Sequence, residues 1–146
     1  MRLAHRAVTS ASPEQVWSLL GDPSRWSTFN PFLRRVRGAP DRVRTGQTLL
    51  AVARLTSVRV PVDVVEAVPE RRLELQFHTA PGVRERVVFE LAPRLPRGTV
   101  LRVGVVVEGL FARVAVAPLW AANGLVARLL AARAERVARA GRRGAA

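Results

Sequence analysis

Apolar residues recur along this chain with two periods, and the change from one to the other divides it. Over residues 33–109 the period is two. Six segments, 33–37, 47–55, 58–68, 72–79, 83–91 and 99–109, combine β-branched residues or leucine with alternation, the mark of half-buried strands. The turn signals Gly38-Ala39-Pro40-Asp41, Pro69-Glu70, Ala80-Pro81-Gly82 and residues 93–98 separate them, and connections this short join antiparallel neighbours. Over residues 110–140 the spacing is helical, in a long run of Ala, Leu, Val and Arg. Ahead of both, residues 3–10 alternate weakly as a first strand. Ser12-Pro13-Glu14-Gln15 then opens a helix, with Ser12 as N-cap, Pro13 at the first helical position and Gln15 placed to complete a capping box. Val16, Trp17, Leu19 and Leu20 supply its apolar face, and Gly21 ends it. A second short helix starts at Asp22-Pro23-Ser24-Arg25-Trp26 and runs into a bulky plug of Trp26, Phe29 and Phe32. The pattern predicts an α+β fold: about seven antiparallel strands in a meander-like sheet, two short helices after the first strand, and one long C-terminal helix lying over the sheet.

Alternation also assigns faces. Val58, Val60, Val62 and Val64 point one way and Arg59, Pro61 and Asp63 the other; Leu73, Leu75, Phe77 and Thr79 oppose Glu74, Gln76 and His78; Leu101, Val103, Val105 and Val107 oppose Arg102, Gly104 and Glu108. The inward wall is thus almost wholly aliphatic. At about 100° per residue, Leu119, Ala122, Val126, Leu129, Leu130, Val137 and Ala140 share the buried side of the long helix, with Arg128, Ala132, Glu135 and Arg139 opposite.

Composition adds limits. A chain of 146 residues, 49% of them hydrophobic, makes one domain with one core, read here as residues 1–140 followed by a flexible basic tail at 141–146. With no cysteine there is no disulfide, thiolate metal site or Cys nucleophile. The N-terminus shows no signal peptide, so a cytoplasmic location is expected. The most apolar stretch, residues 114–127, is too short for a bilayer span. The net charge of +13 invites nucleic acid as a partner, yet every one of the 24 basic residues is Arg, and Lys, Ile and Tyr are all missing, as when codon usage drives composition. The arginines are also dispersed, which favours a solvated surface over a nucleic-acid footprint. Arg34-Arg35-Val36-Arg37 and Arg142-Arg143 are local clusters.

The order of elements carries a resemblance. Ala11-Ser12-Pro13-Glu14-Gln15-Val16-Trp17, then Trp26 through Pro31-Phe32, Gly46 opening the third strand, Val68-Pro69 with Leu73, and Glu108-Gly109-Leu110 before the last helix resemble the SRPBCC superfamily, the helix-grip group of polyketide cyclases/dehydrases, START-type lipid-transfer domains and pollen allergens. The resemblance implies a curved seven-stranded antiparallel sheet wrapped around the C-terminal helix, with an apolar pocket between them that holds a small hydrophobic molecule, lipid or polyketide-like. No cofactor is expected, and the oligomeric state stays open. The residues expected to line or guard the pocket are Trp26, Phe29, Phe32, Arg54, Phe77, Val103, Val105, Trp120, Asn123 and Val126.

Polar residues at inward positions are few. Arg54 interrupts an apolar strand and sits at the cavity mouth or on an exposed rim; Asn123 lies at the edge of the helix's buried face, one turn from Trp120. Arg133 falls inside the apolar stripe, where it must snorkel, pair with a carboxylate or meet an anionic ligand. Gly124 suggests close packing or a bend, and Pro118 a helix start or kink. No metal spacing, phosphate loop or Ser/His/Asp arrangement appears; His5 and His78 are far apart, and His78, Asp63 and Glu90 alternate away from the wall. An enzyme needs an acid or base within reach of its substrate, a role open only to Arg54, Asn123, Thr79 or bound water. Three functions follow: a carrier or binding protein for a small apolar molecule, a cyclase/dehydrase-like enzyme using the same pocket, and a basic module binding RNA or an acidic protein.

Overall fold

The computed structural model describes residues 2–38 and 41–145, so Ala39 and Pro40 of the first expected turn lie outside the described residues. The chain forms β1 (Arg2–Thr9), α1 (Pro13–Leu20), a 3₁₀ helix (Pro23–Thr28), β2 (Leu33–Arg37), β3 (Thr48–Ala53), β4 (Arg59–Val68), β5 (Arg72–Ala80), β6 (Val83–Pro93), β7 (Thr99–Glu108) and α2 (Ala112–Gly144). The seven strands make one antiparallel sheet in the order β1-β7-β6-β5-β4-β3-β2. This is the helix-grip α+β architecture, with strand ends within one or two residues of those predicted.

The local signals act as read. Ser12 accepts from the Gln15 N–H, Gln15 Oε1 accepts from the Ser12 N–H at 2.9 Å, and Gly21 closes α1. Trp26 donates its indole N–H to the Leu20 carbonyl at 2.8 Å, which ties the 3₁₀ helix to the end of α1 and seats Trp26 and Phe29 in the core. Alternation in the sheet holds as well. Val62, Val64, Leu73, Leu75, Leu101, Val103, Val105 and Val107 are buried, while Val58, which precedes β4, is exposed.

The long helix differs from expectation in three ways. It runs through Gly144, past the expected end at Ala140, so residues 141–144 are helical and not tail; Gly141 remains within it because a single interior glycine costs only about 1 kcal/mol relative to Ala. Its buried stripe is rotated: Gly124, Ala127, Ala131, Ala134 and Ala138 are buried together with Asn123, Val126 and Leu130, whereas Leu129 and Ala140 are exposed. Small side chains mark the line of closest approach to the sheet, and a reading led by large apolar residues misses that line. Arg133 consequently faces solvent, and Glu135, expected on the outer side, turns toward β1. Taken as a whole helix, α2 is long and apolar enough on composition alone to cross a bilayer, unlike the stretch ending at Arg128, yet its place is against β7, β1 and α1.

Two contacts with β1 fix where α2 lies. His5 points inward, its ring stacked on Trp120 at 4.7 Å between centroids, and its Nε2 is 2.8 Å from the Trp120 carbonyl. A Cβ on Gly124 would meet that ring at 2.6 Å, which is the physical reason for glycine inside the helix. Further along, Glu135 accepts from the Thr9 hydroxyl at 2.8 Å, the Ser10 N–H at 2.6 Å and the Ser10 hydroxyl. These bonds hold its carboxyl well below its usual value of 4.5, to about 2.

On the outer face, Arg72 pairs with Glu66, Glu74 and Glu90, and Arg86 with Glu74. His78 and Asp63 also meet on that side, at 2.8 Å. β2, at one edge of the sheet, exposes Arg34, Arg35 and Arg37.

Because the folded carboxyl of Glu135 titrates below the unfolded one, its stabilisation is present above pH 4.5 and is lost as pH falls toward 2. Glu135→Gln is expected to lower stability by about 1–2 kcal/mol at neutral pH, a figure discounted for partial solvent exposure. Urea melts should show the gap between variant and wild type closing as the solution is acidified.

Candidate ligand-binding site

α2 lies over β7 and β1, and the 3₁₀ helix with the residues after it covers β2, which leaves a hollow between the two on the concave side of β3 to β6. Its main chamber has a volume of about 390 Å³, within the ~300–1,000 Å³ usual for small-molecule sites. Leu33, Ala51, Ala53, Val60 and Phe77 form the sheet side, Phe32 borders it from the segment ahead of β2, and Pro118, Leu119, Ala122 and Val126 form the helix side. A recess of about 40 Å³ extends inward beneath Trp26 and Phe29 to Val87 and Phe89, sharing Asn30, Leu33, Ala51, Phe77, Asn123 and Val126 with the chamber. Larger depressions of about 590 and 640 Å³ lie at the surface; the first is ringed by Arg94, Arg97, Arg139 and Arg142, and the second, at the β5–β6 turn, shares Thr79 with the chamber.

The chamber contains one ionisable side chain, Glu85 of β6, among the described residues that line it. Glu85 is 7% exposed and lies in register with the buried Val83, Val87, Phe89 and Leu91. Asn123 donates its amide to Glu85 Oε1 at 2.5 Å and to the Leu119 carbonyl at 2.8 Å, and the Thr79 hydroxyl donates to Glu85 Oε2 at 3.5 Å. No Arg or His among the described residues pairs with it. Burial therefore pushes the Glu85 carboxyl above its ordinary value, against the opposing pull of the Asn123 and Thr79 bonds.

The structure brings together six of the ten residues expected at the pocket: Trp26, Phe29, Phe32, Phe77, Asn123 and Val126. Four lie elsewhere. Trp120 is on the opposite flank of α2, against His5. Arg54 is exposed in the turn after β3 and donates to the Leu33 carbonyl at 3.3 Å. Val103 and Val105 face inward but are covered directly, Val103 in the main core and Val105 beneath the Ala115, Val116 and Leu119 segment of α2, so no space remains over them. Glu85, absent from those expectations, was detectable by the same alternation that placed its neighbours inward. Among the described residues no group of three His, Asp or Glu side chains is arranged to hold a metal ion. Chemically, the site offers a buried carboxyl that accepts from an amide and a hydroxyl in largely apolar surroundings and is able to exchange a proton.

By sequence the chain matches the family described as polyketide cyclase/dehydrase and lipid transport, over residues 2–142. Comparison with curated proteins gives no match. Among solved structures it is similar to protein MLL2253 from Mesorhizobium loti, at 19% identity over 93% of this chain and 98% of that one, with a TM-score of 0.76. It is similar also to a START superfamily protein from Mycobacterium smegmatis, at 16% identity over 93% and 98% of the two chains, with a TM-score of 0.70. CalU16 from Micromonospora echinospora aligns at 19% identity over 94% and 81%, with a TM-score of 0.63. At these identities the likeness is one of fold.

A carboxyl whose folded value is raised binds its proton more tightly in the folded state, so its contribution to stability falls as pH rises from 4.5 through the folded value. Glu85→Gln keeps the shape and removes that charge. Its melting temperature should rise relative to wild type as pH increases across this window, the opposite sense to Glu135→Gln, and thermal melts between about pH 4 and pH 8 would check it.

Proposed function

Because the chain belongs to the polyketide cyclase/dehydrase and lipid transport family, we propose that it binds a small, largely apolar molecule in the chamber between β3 to β6 and the first half of α2. The observation that carries this reading is the chamber itself: about 390 Å³ of space walled mainly by aliphatic and aromatic side chains, with a hydrogen-bonded polar cluster at Glu85, Asn123 and Thr79 and one further polar side chain, Asn30. Phe32, Phe77 and Val126 would touch the body of the ligand, Trp26 and Phe29 its inner end, and Asn123 its polar group. At roughly −0.3 kcal/mol per heavy atom, a ligand of about twenty atoms gains about −6 kcal/mol, which corresponds to tens of micromolar. Apolar contact alone reaches useful affinity.

Nile red, a neutral apolar dye, is expected to brighten on titration with the protein and to quench Trp26. Ala122→Phe, which projects a ring into the chamber from α2, should weaken this at least about tenfold with unchanged circular dichroism. Equal dye binding by that variant would defeat the reading.

A second reading, catalysis of the cyclase/dehydrase kind, is favoured by Glu85, a buried proton donor or acceptor facing the same space. Candidate polyketide-like compounds recovered after incubation should then differ in mass or retention when wild type, but not Glu85→Gln, is present. Identical recovered compounds from both would remove catalysis as a reading for those compounds.

A further inference from the structure

The chain carries 24 arginines, and not one of the described residues lining the chamber is cationic. The charge that does reach the chamber has the opposite sign. Glu85 stands under Asn123 and Thr79, both of which donate to it, so the existing bonds are those of an acceptor. The Asn123 amide is saturated, since its two N–H groups go to Glu85 and to the Leu119 carbonyl. The Thr79 proton is likewise directed at Glu85. What these three side chains still offer an incoming molecule is acceptor capacity: the remaining lone pairs of Glu85, Asn123 Oδ1 and the Thr79 oxygen. Asn30, the other polar side chain of the lining, accepts from the Phe32 N–H and is not bonded to this cluster.

Resting on the binding reading above, we infer that the chamber selects, among apolar molecules of suitable size, those ending in a hydrogen-bond donor, a hydroxyl or an ammonium group, and rejects carboxylates. A donor head completes the bonding of Glu85, and an ammonium also supplies the counter-charge that the buried carboxyl lacks. A carboxylate head would bury a second negative charge beside the first with no cation near either, which is among the costliest arrangements in a protein interior. The arginine surface does not alter this ordering. It attracts anions to the exterior, and none of its guanidinium groups lines the chamber to pair with an anionic head.

The test uses decan-1-ol, decylamine and decanoate, which share a chain and differ in the head, as competitors that displace Nile red at neutral pH. Moderate salt screens the exterior arginines. Wild type should release the dye at about tenfold lower concentration of the alcohol or the amine than of decanoate, the difference set by hydrogen bonds to a charged or lone acceptor. In Glu85→Gln the amine should lose its advantage over decanoate, while the alcohol, which still meets an amide oxygen, shifts little. Decanoate displacing the dye as well as the alcohol does in wild type, or an order of competitors unchanged in Glu85→Gln, would overturn the inference. Dye binding that none of the three compounds reverses would overturn it while leaving the apolar-ligand reading in place. Absence of dye binding would overturn both. The wild-type ordering does not depend on any variant folding.

Discussion

The close seat of α2 on β7 and β1 is the constraint from which the remaining architecture follows. Gly124, Ala127, Ala131, Ala134 and Ala138 form one buried line down the helix, and small side chains along it let the backbone come near the sheet. A helix docked that tightly on one half of a seven-stranded sheet does not also cover the other half. The second half is closed from the opposite side by the aromatic residues Trp26 and Phe29, anchored through the Trp26 bond to the Leu20 carbonyl. The hollow is what two covers, each well packed on its own side, leave between them. Its polar cluster sits at the junction, because Asn123 is next in the helix to Gly124, the point of closest contact with His5.

Charge is handled differently on the two faces of the sheet. On the convex side, carboxylates of β4, β5 and β6 meet the guanidinium of Arg72, so even the buried Glu74 has a charged partner. On the concave side Glu85 has only neutral partners, an amide and a hydroxyl. A leucine there would pack the wall without desolvating a carboxyl, so on stability alone Glu85 is a poor choice. Residues that cost stability and face a cavity are where function is to be sought.

The fold was legible because each strand announces its own burial and each turn its own break. Ser12 and Gln15 cap a helix whatever surrounds them, and Leu73, Leu75 and Phe77 alternate without knowledge of their neighbours. The site was legible only in part, for three physical reasons. The rotation of α2 depends on how close two elements approach, a property of the pair, so Trp120 was expected on the wrong flank. Whether an inward residue lines space or is covered depends on the same packing, which separates Val126 from Val103 and Val105. Glu85 was open to reading, since β6 alternates as cleanly as β5, but expecting carboxylates outside and apolar residues inside hides the one position that breaks the rule. Family resemblance repaired none of these, because it carries the container and not the residues that differ within it.

Among the described residues the sheet of this protein does not close on itself: β1 and β2 end it, each with one row of backbone groups that no other described strand pairs. Such a border is a template on which a foreign strand can grow. At β2 the template bears guanidinium groups at Arg34, Arg35 and Arg37, and β2 is only five residues long. A second copy arriving edge to edge would bring its own three positive charges against these, on a segment too brief to compensate for the repulsion. The arginine cluster thus lies along an open border of the sheet, where its charges oppose edge-to-edge pairing with a second copy.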